Sequence, residues 1–255
     1  MRKTVKGVLG MCAVSCIALC GGCTVSLIAS STAIDAAPFI KGEEVLTFDS
    51  KESDARIARF SHGYSNGGMF RSRWSRDRIR YESGIAYLSV VDDNDANYGA
   101  EIRTNQGYLY GYFGARLKPF KHSGTVQSVF TYNGGQYTWD EIDIEFLGKD
   151  TTHVQFNYIH NGAGGHERWY DLGFDASEGF HDYGFKWEAN YITWYVDFKP
   201  VHKVEASLGQ WGFFYINVWA SNDSASDWTG PYQKTDTPLE TAYDYMCYSP
   251  VGEGK

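Results

Sequence analysis

Cysteine is almost absent where it could matter. Four of the five, Cys12, Cys16, Cys20 and Cys23, fall within the first 23 residues, which leaves Cys247 alone beyond them. One thiol makes neither an intrachain disulfide nor a cysteine zinc site, so a disulfide-stapled scaffold and a zinc ribbon are both excluded. Basic charge is scarce as well. Residues 24 to 255 hold 20 Lys and Arg against 31 Asp and Glu, a formal −11. Such a surface repels nucleic acid and anionic polysaccharide and favours a neutral partner. There are only six prolines, no internal repeat, and no linker or low-complexity tract after residue 45. No stretch carries the 3.6-residue apolar period of an amphipathic helix, and the best candidate, 175–180, is a single turn.

What the N-terminus does have is an export pattern. Arg2, Lys3 and Lys6 precede small and apolar residues, with no acid before Asp35, which reads as a secretory leader over 1–23. A membrane-spanning helix fits less well, because Gly7, Gly10, Ser15, Gly21, Gly22 and Thr24 dilute the hydrophobicity that a span needs. Gly21-Gly22-Cys23 resembles the end of a bacterial lipoprotein signal, although Cys20 stands where that signal usually has Leu. The expected location is therefore outside the cell, either released or attached to a membrane through a lipidated Cys23. Residues 24–45, rich in Ser, Ala and Thr, read as a tether. Residues 46–255 form one domain of about 210 residues.

Aromatics make up 16% of the chain and glycines number 28, a mixture that points to many strands joined by glycine turns. Apolar or alternating runs occur at 85–91, 107–117, 125–132, 153–159, 183–187, 191–196 and 213–219. Turn-like clusters separate them, such as Asn133-Gly134-Gly135 and Asn161-Gly162-Ala163-Gly164-Gly165. The expected architecture is all-β, a sandwich of two antiparallel sheets with an inner core and one exposed concave face.

The stretch 139–148, Trp-Asp-Glu-Ile-Asp-Ile-Glu-Phe-Leu-Gly, organises the rest. As a strand it puts Trp139, Glu141, Asp143 and Glu145 on one face and Ile142, Ile144 and Phe146 on the other. A helix would scatter the acids among the isoleucines. Three carboxylates in a row repel one another, so at least one should hold a proton near neutral pH, as a general acid must. A solvated edge-strand face is the bland alternative, but such faces usually mix charge signs. Glu141 and Glu145 lie about 13 Å apart along a flat strand, at about 3.3 Å per residue. Side chains converging from a curved sheet could reach either the roughly 5 to 5.5 Å of a retaining glycosidase or the roughly 6.5 to 9.5 Å of an inverting one. Trp139, Trp219 and Trp228 offer flat apolar surfaces for a sugar, whereas Trp74, Trp187 and Trp194 sit in apolar runs and read as core.

Residues 139–152, Val154-Gln155-Phe156-Asn157-Tyr158 and Asn161-Gly162-Ala163-Gly164 resemble the bacterial lichenases, endo-β-1,3-1,4-glucanases of glycoside hydrolase family 16, with similarity from about Gly63 to Tyr248. The resemblance implies a jelly-roll sandwich that cuts mixed-linkage β-glucan with retention, at β-1,4 bonds following a 3-O-substituted glucose, with no cofactor for catalysis and as a monomer. It makes Glu141 the nucleophile, Glu145 the general acid/base and Asp143 the assisting acid between them. By the same resemblance Tyr64, Asn66, Glu101, Arg103, Phe130, Tyr132, Asn157, Asn217, Trp219 and Trp228 hold glucose units, and Asp244 helps hold a structural calcium. The sequence also departs from the pattern. Ser72 and Gly99 stand where many lichenases pair cysteines, Ile159 where Tyr is usual, and Asp197-Phe198 where an Asp-Gly hairpin is usual. Residues 206–214 lack the usual Pro-rich loop. A transglycosylase of the same family would keep the three acids, but its plant members carry a cysteine-bearing extension that is not seen here. β-1,3-Glucanases usually carry an extra residue in the catalytic strand, and a non-catalytic sugar-binding sandwich has no reason to keep three repelling acids.

Overall fold

The computed structural model describes residues 44–48, 58–134 and 138–250; the leader and nearly all of the tether fall outside them. Sixteen strands carry the described fold: β1 (Glu44–Thr47), β2 (Ala58–Phe60), β3 (Arg73–Trp74), β4 (Ile79–Glu82), β5 (Ile85–Asp93), β6 (Ala96–Tyr108), β7 (Gly111–Lys118), β8 (Thr125–Tyr132), β9 (Glu141–Leu147), β10 (His153–Ile159), β11 (Arg168–Asp171), β12 (His181–Trp187), β13 (Tyr191–Val196), β14 (Lys199–Glu205), β15 (Gly212–Ala220) and β16 (Leu239–Ser249). Their order across the structure is β11-β10-β9-β8-β15-β6, then β5-β16-β7-β12-β13-β14. The two expected sheets are thus halves of one curled sheet. They are joined where β5 and β6 pair over only the tip of their hairpin, Val91 to Asp93 against Ala96 to Tyr98. Every pairing between named strands is antiparallel except the short β3 contact with β6.

The expected run 107–117 divides into the end of β6, a turn, and β7. Tyr110 and Gly111 take positive φ, 61° and 137°, and their apolar neighbours hide that turn from a hydropathy pattern. At 176–178 a 3-10 turn forms as the sequence suggests, capped by the Asp175 side chain accepting from the backbone N–H of Ser177. A further helical turn, Ser226–Thr229, has no sequence period to announce it.

Between the two halves lies the core. Ile142, Ile144 and Phe146 of β9 are all fully buried, and each contributes about 1.5–3 kcal/mol of hydrophobic stabilisation. Phe146 meets Tyr183 of β12 edge to face, with ring centroids 4.7 Å apart. Trp194 of β13 stacks on Phe156 of β10 and donates its indole N–H to the backbone carbonyl of Asp143 at 3.0 Å. Tyr243 of β16 reaches across to the carbonyls of Ser128 and Asn217, at 3.2 and 3.1 Å. The half that carries the acids is therefore held from behind by hydrogen bonds as well as by packing.

Where a disulfide is usual, side-chain hydrogen bonds do the joining. Ser72 Oγ donates to Asn97 Oδ1 at 2.5 Å and accepts from the Ala220 N–H at 2.8 Å. A Cβ placed on Gly99 would lie 3.1 Å from that of Ser72, so the two positions are neighbours. Cys247 is buried beside Tyr112 and Tyr195.

At the β13–β14 hairpin, Val196 pairs with Lys199, and Asp197 and Phe198 both take positive φ, 46° and 61°. Asp197 is held by its carboxylate, which meets Nδ1 of His181 at 2.9 Å and accepts from the Asp182 N–H at 3.1 Å. Phe198 gains nothing comparable from a conformation that costs an L-residue about 1–2 kcal/mol. Phe198→Gly is expected to stabilise the fold by about 1 kcal/mol, seen as a melting temperature about 2–4 °C higher by calorimetry; a lower value would show that the ring supports the hairpin.

Candidate active site

Strand register decides which side chains share the concave face, because residues directly opposite in an antiparallel pair point the same way. From β9, Glu141, Asp143 and Glu145 face Tyr132, Phe130 and Ser128 of β8 on one side and Ile159, Asn157 and Gln155 of β10 on the other. One strand further on, Tyr215 and Asn217 of β15 oppose Phe130 and Ser128, and Arg103 and Glu101 of β6 oppose them in turn. The resulting cleft has a volume of about 580 Å³.

Backbone anchors at the entry to β9 hold the strand in place. Asp140 is buried and turns away from the row of acids. Its carboxylate accepts from the backbone N–H groups of Asn161, Gly209 and Gln210 at 2.9 to 3.2 Å, tying two loops to the start of the strand. The Trp139 carbonyl accepts from the Gly162 N–H. Sequence reading gave Asp140 no role, because a clamp of backbone donors from distant loops leaves no pattern near the acid.

The three acids differ in their surroundings. Desolvation raises Glu141 above the usual carboxylate range and Glu101 adds repulsion, but the Trp139 indole N–H, 2.5 Å from Oε2, and Asp143 both donate to its charged form. Asp143, buried between two glutamates, is pushed well above its ordinary value by desolvation first and then by the Glu141 and Glu145 charges. It is therefore the protonated partner that donates to Glu141, with Asn157 donating to its other side. Glu145 has nothing opposing its shift: desolvation, then Glu141 and Glu167, push it up to about 8. Environments that separate neighbouring carboxyls in this way mark one as the proton donor and the other as the ionised partner.

Of the expected cleft residues, Tyr64, Asn66, Glu101, Phe130, Tyr132, Trp139, Asn157, Asn217, Trp219 and Trp228 all line the cavity. Glu101 is buried and raised by desolvation, opposed by Ser61, Asn217 and the charge of Arg103. Ser61 Oγ donates to it at 2.5 Å and Asn217 Nδ2 at 3.1 Å, while the Tyr64 hydroxyl donates to Ser61. Asn66 accepts from the Trp74 indole at 2.9 Å. Arg103 stands apart from the lining, with its guanidinium 4.0 Å from the centroid of the Phe213 ring; it acts on the site through Glu101. Trp219 is only 3% exposed, and Phe70 stacks on it at 4.0 Å, so Phe70 rather than Trp219 presents the open ring. Trp228 donates its indole N–H to Gln155 at 2.7 Å.

Met69, Phe70, Ser128, Gln155, Glu167 and Tyr215 complete the wall without having been singled out. Ser128, Gln155 and Tyr215 were within reach of alternation, since each lies two residues from an expected cleft residue on the same strand. Met69, Phe70 and Glu167 come from loops, where no period exists to point at them.

Asp244 lies away from this face, at the bulge in β16 between Tyr243 and Tyr245. Its Oδ2 is 3.3 Å from Nε of Arg116, which also pairs with Asp182 at 2.8 Å. An arginine thus supplies positive charge to this carboxylate. Among the described residues no group of three His, Cys, Asp or Glu side chains is placed to hold a metal.

A model of glycosyl hydrolases family 16 matches residues 66–246. A β-glucanase of Brevibacillus brevis is 43% identical over 196 residues, covering 74% of this chain and 75% of the relative. Among solved structures, a β-1,3-1,4-glucanase (lichenase) from a mouse hindgut metagenome superposes with a TM-score of 0.78 at 42% identity, covering 82% of this chain and 99% of that one. A Bacillus licheniformis β-glucanase does so with a TM-score of 0.78 at 37% identity, covering 83% and 100%.

The exposed Glu167 carboxylate repels a second negative charge on Glu145. Glu167→Gln should therefore lower the Glu145 pKa and move the alkaline limb of the pH–rate profile to lower pH, leaving the acidic limb in place. A limb that stays put would mean that the Glu167 charge is fully screened by solvent, and one that moves up would contradict the repulsion outright.

Proposed function

The chain belongs to glycosyl hydrolase family 16, and we propose that it is a retaining endo-β-1,3-1,4-glucanase, cutting β-1,4 bonds that follow a 3-O-substituted glucose in mixed-linkage β-glucan. The observation that carries this is the asymmetry on β9: Glu145 keeps its proton to about pH 8 while Glu141 has two donors aimed at its charge.

Glu145 gives its proton to the leaving glycosidic oxygen as that bond breaks, and the Glu141 carboxylate attacks the anomeric carbon to form a glycosyl ester. Glu145, now ionised, takes a proton from water; the water oxygen attacks the same carbon, and Glu141 leaves as carboxylate with the sugar's configuration retained. Asp143 acts through Glu141. Its proton steadies the nucleophile's charge before attack and again when the ester breaks. The amide oxygens of Asn157 and Asn217 are buried at the cleft with no partner in the protein, and sugar hydroxyls are the donors that would satisfy them. Trp139, 44% exposed, offers a ring face to the sugar's C–H surface. A neutral polymer also suits the acidic surface.

We propose further that the protein works outside the cell as a monomer without a catalytic cofactor. Residues 1–23 read as a leader.

Reducing-sugar release should be far faster on barley β-glucan than on laminarin, cellulose or xyloglucan, and equal rates on laminarin would refute the linkage specificity. The roles of the glutamates separate by leaving group. Glu145→Ala should lower polymer hydrolysis by about 10²- to 10⁴-fold yet still react with an activated aryl β-glucan oligosaccharide, with azide yielding the β-azide. Glu141→Ala should be inactive on both, with azide yielding the inverted α-azide. Exchanged anomers would exchange the two roles.

A further inference from the structure

Past Gln155 the concave face continues onto β11, the outermost strand of its half. Gln155 pairs with Trp169 and His153 with Asp171, so Trp169 points to the same side as Gln155, which lines the cleft. Alternation along β11 agrees: Tyr170 turns inward against Phe156, with ring centroids 5.9 Å apart, and Trp169 between its neighbours turns out. Its indole stands one strand spacing, roughly 4.8 Å, beyond the wall formed by Gln155 and Trp228.

The core does not account for this side chain. Trp169 is 40% exposed and is absent from the residues packed against the main cluster, although Tyr170 beside it is among them. Nor does edge protection account for it, since Arg168 and Asp171 already supply the charges that blunt an exposed strand, and a bare indole does the opposite. A neighbouring ring orients it. The His153 ring meets it edge to face at 6.5 Å, and His153 Nδ1 is itself held 2.9 Å from Asp150 Oδ2.

We propose that Trp169 is a stacking platform for a glucose unit of the β-glucan chain lying beyond the units held in the cleft. The inference rests on the reading of the cleft as a β-glucanase site and extends it to the outer edge of the sheet. The occupant follows from continuity, because a chain that crosses β8, β9 and β10 meets β11 next, and from chemistry, because a flat apolar ring complements the C–H face of a neutral β-linked sugar. A contact this far from β9 is the same in ground and transition states, so it lowers KM and leaves kcat alone.

Two substrates test it, barley β-glucan and a short aryl β-disaccharide that ends inside the cleft. Trp169→Ala should raise KM on the polymer roughly three- to tenfold with kcat unchanged, and should leave both constants on the short substrate at their wild-type values. Trp169→Phe should keep most of the polymer affinity. An unchanged polymer KM in Trp169→Ala would overturn the proposal, as would an equal loss on the short substrate, which would make the indole a support for the strand. Migration in a native gel containing β-glucan reads the same contact without turnover. Wild-type protein retarded by the polymer, with Trp169→Ala released from it, would uphold the platform even if no hydrolysis were found; hydrolysis with equal retardation of both would reject the platform and leave the catalytic reading standing.

Discussion

Three carboxyl groups spaced two residues apart on one strand face repel one another, and they stay together because the opposite face of that strand is bound so firmly. Ile142, Ile144 and Phe146 are buried between the two halves of the sheet, and the Trp194 indole holds the carbonyl of the middle acid from behind. The hydrophobic face fixes the backbone, and the fixed backbone keeps the acids from moving apart. What remains of the repulsion is relieved by protons: Asp143 and Glu145 keep theirs, leaving Glu141 as the group whose charge is solvated by donors. The division of labour among the acids is thus the lowest-energy answer to crowding them.

That answer sets a pH dependence on the fold itself. A carboxyl whose folded pKa is raised stabilises the folded state in its neutral form. At pH below the unfolded value, near 4.3, burial of Glu145 has no ionic cost. As pH rises from that value to about 8, the folded chain holds a proton that the unfolded chain has released, and stability falls; above about 8 both states are ionised and the loss is complete. The catalytic strand is therefore a site of alkaline weakness, as expected where activity requires groups that the fold would otherwise exclude.

Much of this was legible in the chain because alternation is a two-residue period that survives any packing context. The segregation of Glu141, Asp143 and Glu145 from Ile142, Ile144 and Phe146 needed nothing but the strand geometry. The core placement of Trp187 and Trp194 followed from their neighbours. What was not legible depended on the third dimension. Tyr110 hides a turn inside an apolar run. Trp219 reads as a platform until Phe70 is found stacked upon it, and Arg103 shares the register of the cleft yet lies against Phe213. Asp244, to which the resemblance gives a family role, pairs with a basic neighbour on another strand, Arg116. For Trp219, Arg103 and Asp244 the partner lies far away in sequence.

Strand order has a consequence for how the molecule comes to exist. β16, the last of the sixteen strands, lies between β5 and β7, and its Tyr243 hydroxyl supports two carbonyls of the opposite half. Until residues 239–249 arrive, β5 and β7 have no common neighbour and the rear of the cleft lacks that support. A nascent chain therefore cannot close its barrel-like curl part by part during synthesis. Closure must wait for pairings separated by more than a hundred residues, the topology that folds slowly and late.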